Sequence, residues 1–228
     1  MRYVIDPPAI TSLPVIGREE RFPIRRVFCV GRNYAEHARE MGGTVDTSMP
    51  MFFCKPADAV VTDGADLPYP QATSDLHHEV EMVVALKAGG RDLNEAQATE
   101  AIFGYGVGLD LTRRDLQAIA KAKSHPWDVA KAFDYSAPVS ALRVASEASP
   151  QADTELSLHV NGSLRQHGHL GEMVHSVVAI IKALSTLFEL KPGDIIFTGT
   201  PAGVAALQRG DRFHAALQGI ATLDGKVV

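Results

Sequence analysis

The sequence predicts an α+β fold, in which many short strands and three or four helices pack around a curved sheet. Three observations favour it: short apolar runs bounded by glycine and proline recur, a few segments show helical spacing, and no internal repeat or sharp change of composition divides the chain. With 228 residues, the chain is long enough to bury a sizeable core. The predicted organisation is one domain over residues 27–228, preceded by an extended arm over residues 1–26, where four prolines exclude a long helix.

In the first half of the chain, apolar runs predict strands and capping residues predict helices. Asn33 is a suitable N-cap for a helix that the Gly42–Gly43 pair ends. Thr112, with Asp115 three residues later, resembles a capping box that opens another helix. The predicted strands cover residues 25–31, 51–55, 78–86 and 104–111, and the predicted helices cover residues 34–41, 94–102 and 112–123.

In the second half, short strands and tight turns dominate. Side chains alternate between apolar and polar over residues 156–160, and the following Asn161–Gly162 pair predicts a β-hairpin. Apolar residues recur at helical spacing over residues 173–188, which predicts an amphipathic helix. A Pro-Gly-Asp turn then leads into a buried strand over residues 195–198.

Charge and composition exclude several classes of partner. Lysine and arginine number 22 against 27 aspartates and glutamates, and no basic run exceeds two residues, so a nucleic-acid partner is not expected. The longest unbroken apolar runs have five residues, so no membrane span is expected. Cys29 and Cys54 make no disulfide framework, and both are predicted to be buried structural thiols. Without a secretion signal, the expected location is the cytoplasm.

The segment around residue 80 carries the strongest chemical pattern. Glu79 and Glu81 alternate on a predicted strand and therefore share a face, where a hard cation such as Mg²⁺ or Ca²⁺ would relieve their repulsion. Asp110 stands alone among glycines and apolar residues, and is the natural third ligand. The alternatives are a solvated edge strand for the two glutamates and a helix cap for Asp110. A zinc site is disfavoured, because His167 and His169 are predicted to lie in a glycine-rich turn without a cysteine nearby.

A second pattern lies on the predicted helix after residue 33. His37 and Glu40 are three residues apart and so are neighbours on one helix face. A carboxylate beside an imidazole orients the ring and raises its basicity, as a general base requires. The alternative is an exposed pair on a surface helix.

Four further polar residues are candidates for binding an anionic substrate. Lys55 ends an apolar strand, Lys131 follows a tryptophan-containing segment, and Arg114 and Gln117 share one face of the helix after residue 112. Arginine and glutamine suit carboxylate and keto oxygens. The alternative is that the lysines are simply solvated.

Seven motifs resemble, in sequence order, the fumarylacetoacetate hydrolase family over residues 27–204. They are GRNYAEHAREM, FFCKP, LHHEVEMVVAL, GYGVGLDLTRRDLQ, WDVAKAFDYSAPVS, VNGSLRQ and GDIIFTGTPAGV. The N-terminal segment leading through FPIRRVFCVGRNY is similar to the bacterial fumarylpyruvate hydrolase subgroup.

The resemblance implies a mixed β-roll fold, a homodimer, and metal-dependent cleavage of a carbon–carbon bond in an acylpyruvate-type diketo acid. The implied cofactor is Mg²⁺, with Mn²⁺ or Ca²⁺ as alternatives. By resemblance, the metal ligands are Glu79, Glu81 and Asp110, the catalytic residues are His37, Glu40, Lys55 and Lys131, and the substrate-binding residues are Arg114, Gln117 and Thr200.

Three other functions stay open on the same residues. Oxaloacetate decarboxylation would use the same ligands without an attacking water, and isomerisation of a hydroxymuconate-type diacid is a further enzyme option. A non-catalytic metal-binding protein is the third. The polar stretch over residues 44–50, which follows the predicted His37 helix, is expected to close over bound substrate as a lid.

Overall fold

The structure, a computed structural model, describes residues 2–40, 42, 47–62 and 64–228. In the first half of the chain its elements are β1 (Ser12–Pro14), β2 (Arg21–Pro23), β3 (Arg26–Gly31), α1 (Ala35–Glu40), β4 (Met51–Lys55), β5 (Val60–Val61), β6 (Leu76–His78), β7 (Val80–Leu86), α2 (Glu95–Glu100) and β8 (Ile102–Leu109). In the second half they are β9 (Thr112–Arg113), α3 (Arg114–Ala122), α4 (Asp128–Lys131), β10 (Ala137–Pro138), β11 (Arg143–Val144), β12 (Glu155–Val160), β13 (Ser163–His169), α5 (Val177–Leu187), β14 (Asp194–Phe197), β15 (Ala205–Ala206), β16 (Arg212–Leu217) and β17 (Ala221–Lys226).

Two larger sheets organise the molecule. The central sheet has the order β11–β8–β7–β14–β3–β4, with β14 parallel to β3 and the other neighbours antiparallel. The second sheet has the order β13–β12–β16–β17 and is antiparallel throughout. Shorter strands pair as β15–β6–β9, β1–β2 and β10–β5. Mixed sheets with a few helices confirm the predicted α+β class.

The central sheet is covered on both faces because side chains alternate along its strands. On β7, Met82 and Val84 enter one apolar cluster, which extends to α5 and the second sheet, whereas Val83 and Ala85 enter another. Complete burial of one such large aliphatic side chain is worth about 1.5–3 kcal/mol. All seven residues of β7 are buried, as expected for a strand in the interior of a covered sheet.

The N-terminal segment that precedes β3 covers the apolar cluster that contains Val83 and Ala85. Strands β1 and β2 pair antiparallel, and Leu13 and Phe22 are buried against the sheet, whereas residues 2–10 are exposed. Part of the predicted arm is therefore a packed hairpin. The domain boundary after residue 26 stays a prediction.

Glycines on β8 let another segment of backbone approach closely. Gly104, Gly106 and Gly108 share one face of the strand. A Cβ atom on Gly104 would lie 2.2 Å from the carbonyl oxygen of Arg143, and one on Gly108 would lie 2.8 Å from the ring of Phe197. The glycine alternation is thus a packing requirement, and it fixes the strand that leads to Asp110.

Two predicted helix caps are wrong. Asn33 is fully buried, and its side-chain amide donates to the carbonyl oxygens of His175 and Thr198 at 3.0 and 2.8 Å instead of capping α1. Thr112 lies in β9, and α3 begins two residues later without a side-chain cap. The Asp115 carboxylate accepts instead from the Thr73 hydroxyl at 2.7 Å. Both side chains join distant segments, which local spacing does not predict.

Three other expectations have separate outcomes. The hairpin at Asn161–Gly162 is confirmed, with positive φ angles of 51° and 78° at the turn. Cys29 is buried, but Cys54 is exposed on β4, so the prediction for Cys54 is wrong. The predicted lid over residues 44–50 lies partly outside the described residues.

In the part of the chain that the structure describes, no helix has the length and hydrophobicity needed to cross a bilayer.

Candidate active site

The pairing of β7 with β8 brings the three predicted carboxylates together. Glu81 lies on β7, Glu79 immediately precedes it, and Asp110 immediately follows β8. The Asp110 N–H donates to the carbonyl oxygen of Glu79 at 2.8 Å, which holds the two strand ends side by side. The residues are 1–5% exposed, and one carboxylate oxygen of each lies within 4.8 Å of the others. The edge-strand alternative is wrong, because β7 lies between β8 and β14.

Three cations surround these carboxylates. Lys131 Nζ, at the end of α4, lies 2.7 Å from Glu79 Oε2 and 2.6 Å from Asp110 Oδ2. Lys55 Nζ, at the end of β4, lies 2.9 Å from Asp110 Oδ1, and Arg114 Nη2 lies 2.5 Å from Glu79 Oε1. Both lysines are 2% exposed, so the alternative of solvated lysines is wrong. Asp110 pairs with lysines and does not cap α3.

The ion pairs keep the paired groups charged. Burial alone would raise the pKa of Glu79, but the Lys131 ammonium and the Arg114 guanidinium outweigh it and hold that pKa far below its usual range. Burial would likewise lower the pKa of Lys131, but the Asp110 and Glu79 carboxylates raise it. Lys131 is therefore a fixed positive charge inside the site.

Glu81 differs from the other two carboxylates. Its Oε2 accepts the Gly199 N–H at 2.6 Å, and no lysine or arginine of the described residues contacts it. Burial, together with the Asp110 and Glu79 carboxylates, raises the pKa of Glu81 well above its usual range. Asp110 Oδ1 forms the ion pair with Lys55 but accepts no hydrogen bond of good geometry from the described residues. A divalent cation would relieve the repulsion between Glu81 and the other two carboxylates, and three carboxylates without nitrogen or sulfur donors suit Mg²⁺, Mn²⁺ or Ca²⁺.

The predicted dyad lies on α1. His37 is buried, with Nδ1 3.4 Å from Glu40 Oε2, and the Glu40 carboxylate also accepts the Gly203 N–H at 3.2 Å. Burial lowers the pKa of His37, and the carboxylates of Glu79 and Glu40 offset part of that shift. The imidazole is therefore neutral at neutral pH and can accept a proton. The alternative of an exposed pair is wrong for His37, whereas the Glu40 side chain is 36% exposed.

A small pocket joins His37 to the carboxylates. Eight of the ten predicted site residues line it: His37, Glu79, Glu81, Asp110, Arg114, Gln117, Lys131 and Thr200. The other two lie behind it, where Glu40 contacts His37 and Lys55 contacts Asp110. Arg114 Nη1 donates to Gln117 Oε1 at 2.6 Å, and the substrate-binding role of these two residues stays a prediction.

Sequence reasoning missed two cations in the pocket. Arg32 and Lys121 line it, and neither forms an ion pair with a described acidic residue. Burial, Arg114 and Arg32 lower the pKa of Lys121, whose ammonium lies 5.3 Å from the ring centre of Trp127. Helical spacing could have found Lys121, because it follows Gln117 by four residues on α3. Arg32 has a φ of 59°, a conformation that no sequence pattern indicated.

A buried amide supports Thr200 and was also missed. Gln166 Nε2 donates to Thr200 Oγ1 at 2.7 Å and to the carbonyl oxygen of Pro201 at 2.9 Å. Gln166 Oε1 lies 2.8 Å from His78 Nδ1 and accepts the Val80 N–H at 3.0 Å. The VNGSLRQ motif ends at this residue, but its hairpin pattern says nothing about where the amide points.

Comparison with known proteins identifies the family. The family model described as "Fumarylacetoacetate (FAA) hydrolase C-terminal" matches residues 26–228. The chain belongs to the fumarylacetoacetate hydrolase family. The predicted resemblance is thereby confirmed.

Known members of the family resemble the chain over most of its length. The crystal structure of fumarylpyruvate hydrolase from Pseudomonas aeruginosa, in complex with Mn²⁺ and pyruvate, is 45% identical with a TM-score of 0.96, over 100% of this chain and 99% of that chain. Oxaloacetate tautomerase YcgM from Escherichia coli K12 is 44% identical over 87% of this chain and 90% of that protein. The crystal structure of 5-carboxymethyl-2-hydroxymuconate delta-isomerase from Mycobacterium smegmatis is 33% identical with a TM-score of 0.81, over 91% of this chain and 80% of that chain. The likeness of fold confirms the β-roll type predicted for the family.

Proposed function

We propose that the chain is a divalent-metal-dependent hydrolase that cleaves the carbon–carbon bond of an acylpyruvate of the fumarylpyruvate type. The observation that carries the proposal is the buried His37 imidazole, which contacts Glu40 and lines the same pocket as the carboxylate cluster. A base beside a hard-metal site is the combination that water attack on a diketo acid requires. The Pseudomonas aeruginosa fumarylpyruvate hydrolase structure, which aligns with the whole chain, supports the assignment.

Glu79, Glu81 and Asp110 would hold the cation. A cation bound there would act as a Lewis acid that polarises the substrate carbonyl, and it would hold the keto and carboxylate oxygens of the substrate in position. Mn²⁺ in the Pseudomonas aeruginosa structure supports a divalent metal, and we propose Mg²⁺ or Mn²⁺ for this chain.

The proton transfers follow from the positions of His37 and Lys131. His37 takes a proton from a water molecule, whose oxygen bonds to the carbonyl carbon of the acyl group. The bond between that carbon and the neighbouring methylene then breaks, and its electron pair passes into pyruvate enolate. The imidazolium returns the proton to the enolate carbon, which gives pyruvate and a carboxylic acid. Lys131, charged and buried, stabilises the negative oxygen that develops.

The missed cations indicate a substrate with a second carboxylate. The positive charges of Arg32 and Arg114 repel the Lys121 ammonium, and an anion bound between these groups would relieve that repulsion. The far carboxylate of a dicarboxylic acylpyruvate would satisfy this requirement. Trp127 and Phe53 provide flat apolar walls for the connecting carbon atoms.

A turnover panel tests the proposal. The metal-free chain is reconstituted with Mg²⁺ or Mn²⁺ and incubated with fumarylpyruvate, acetylpyruvate and oxaloacetate, while pyruvate is measured. We expect metal-dependent pyruvate release from fumarylpyruvate that falls about 10²–10⁴-fold in His37→Gln. His125→Gln, which changes an exposed histidine outside the pocket, is the matched control and should leave the rate unchanged. No pyruvate from any acylpyruvate would contradict the proposal.

Oxaloacetate tautomerisation is the second candidate. The same dyad could move a proton between carbon and oxygen without breaking the carbon skeleton, and the 44% identical Escherichia coli relative supports this reaction. Accelerated loss of the ultraviolet absorbance of enol oxaloacetate, without pyruvate release, would favour it. Pyruvate released from oxaloacetate indicates decarboxylation, and turnover of a hydroxymuconate-type diacid indicates isomerisation. Inactivity towards all of them indicates a non-catalytic metal-binding protein.

The cytoplasmic location and the homodimer are further proposals. Cys29 and Cys54 are unpaired in the structure, which is consistent with a reducing compartment. The homodimer is supported by the family resemblance, and light scattering after size-exclusion chromatography tests it.

A further inference from the structure

A second group of possible metal ligands lies on the outer face of the β12–β13 hairpin. Glu155 is on β12, and His167 and His169 are on β13, so the prediction that these histidines lie in a turn is wrong. Antiparallel pairing places Glu155 directly opposite His169. Gln166 and Gly168, the neighbours of His167 on the strand, are buried and face inward, which leaves both histidines on the solvent side.

Side-chain distances show that the three residues, here called the hairpin cluster, already converge. His167 Nε2 lies 2.7 Å from Glu155 Oε1, and the two histidine rings meet edge to face with centroids 5.3 Å apart. One donor atom from each residue lies within 4.8 Å of the others. Glu172 Oε1 lies 3.6 Å from His169 Nδ1, so a fourth donor is adjacent.

The chemistry of the hairpin cluster differs from that of the carboxylate cluster in the pocket. Two imidazole nitrogens with carboxylate oxygens form the donor set that Zn²⁺ prefers, whereas three carboxylates favour harder cations. Donors bound tetrahedrally at about 2.0–2.2 Å from a zinc ion stand roughly 3.4 Å apart. The side chains of Glu155, His167 and His169 are 41–43% exposed, so they have the rotational freedom to bring their donor atoms from within 4.8 Å of one another to that spacing.

We propose that Glu155, His167 and His169 form a surface site for Zn²⁺ or a similar divalent transition metal, with Glu172 as a fourth ligand. The site is separate from the carboxylate cluster and does not depend on the function of the pocket. The backbone that carries the two histidines is packed against the rest of the molecule. Gly168 lies so close to Pro201 that an added Cβ atom would be 2.8 Å from the proline ring. The metal would therefore bind to a preformed hairpin.

The proposal is tested by calorimetric titration of the intact chain with Zn²⁺. Excess Mg²⁺ is present throughout, so that the carboxylate cluster is saturated. We expect one equivalent to bind, and His167→Gln and His169→Gln to weaken that binding at least about tenfold each. His214→Gln is the matched control, because His214 is also exposed on this sheet and pairs with a single carboxylate, Asp224, at 2.8 Å. It should bind Zn²⁺ like the unchanged chain.

Co²⁺ provides an independent readout, because its visible absorption reports nitrogen and oxygen ligation in a tetrahedral field. The spectrum should appear in the unchanged chain and in His214→Gln, and should be lost in the other two variants. Thermal unfolding without metal should be the same in all three variants, since these side chains are half exposed. Equal Zn²⁺ affinity in His167→Gln and the unchanged chain, or equal loss in His214→Gln, would overturn the proposal.

Discussion

Replacement of Glu40 by glutamine should shift the pH dependence of turnover in a direction that the structure fixes. The Glu40 carboxylate lies 3.4 Å from the His37 ring nitrogen. At that distance, opposite unit charges attract by about 1 kcal/mol in water and about 5 kcal/mol at an effective dielectric constant of 20. Because the Glu40 side chain is 36% exposed, solvent screening places the interaction near the lower end, at about 1–2 kcal/mol.

This carboxylate raises the pKa of His37 against the lowering caused by burial. Glu40→Gln removes that contribution, so the pKa of His37 should fall further, by about one unit. The acid limb of the kcat/KM profile reports the base in the free enzyme and should therefore move to lower pH by about one unit. The plateau should fall several-fold, because a less basic imidazole is a weaker general base.

The assay is pyruvate release from an acylpyruvate between pH 4.5 and pH 8, in saturating Mn²⁺. Glu36→Gln is the matched control, since it removes an exposed glutamate from the same short helix. An unmoved acid limb in Glu40→Gln, or an equal shift in Glu36→Gln, would refute the pairing of Glu40 with His37.

Three further results are expected. Glu81→Gln should weaken Mn²⁺ binding, as measured by calorimetry. The loss should exceed the factor of about 10–100 that is typical when a residue behind a metal ligand is changed, and an unaltered affinity would contradict the role of Glu81 as a ligand. Lys121→Gln should raise the KM for fumarylpyruvate about tenfold at constant kcat. The KM for acetylpyruvate should not change, because acetylpyruvate has no second carboxylate. An equal rise in KM for both substrates would exclude a distal carboxylate site at Lys121. Gln166→Leu should lower the free energy of unfolding in urea by at least about 3 kcal/mol, since four buried polar groups lose their partner, and a loss below about 1 kcal/mol would contradict that network.

The predictions that succeeded from sequence depended on local patterns. The hairpin at residues 161–162 follows from a turn type that asparagine and glycine favour, and the E-x-E spacing places Glu79 and Glu81 close together. Asp110 could be proposed because a lone acidic residue in an apolar run needs a partner. Their grouping as one cluster was proposed from these patterns and agreed with the family resemblance, and it was then seen in the pairing of β7 with β8.

Several of the failures share a physical cause, which is that the decisive partner is remote in sequence. Asn33 bonds to residues more than 140 positions away, and these contacts outweigh its local tendency to cap a helix. Glu79 and Glu81 could equally have lain on an edge strand, because the neighbours that bury β7 come from elsewhere in the chain. Arg32 and Gln166 carry no periodic signal at all.

The carboxylates proposed as metal ligands and the histidine proposed as the base lie on different parts of the fold. The former lie on or next to the buried strands β7 and β8, whereas the latter lies on a six-residue helix that follows β3. We therefore expect substitutions on α1 to change the proton transfer without moving the carboxylate cluster. The hydrolase, tautomerase and isomerase among the relatives are consistent with that division.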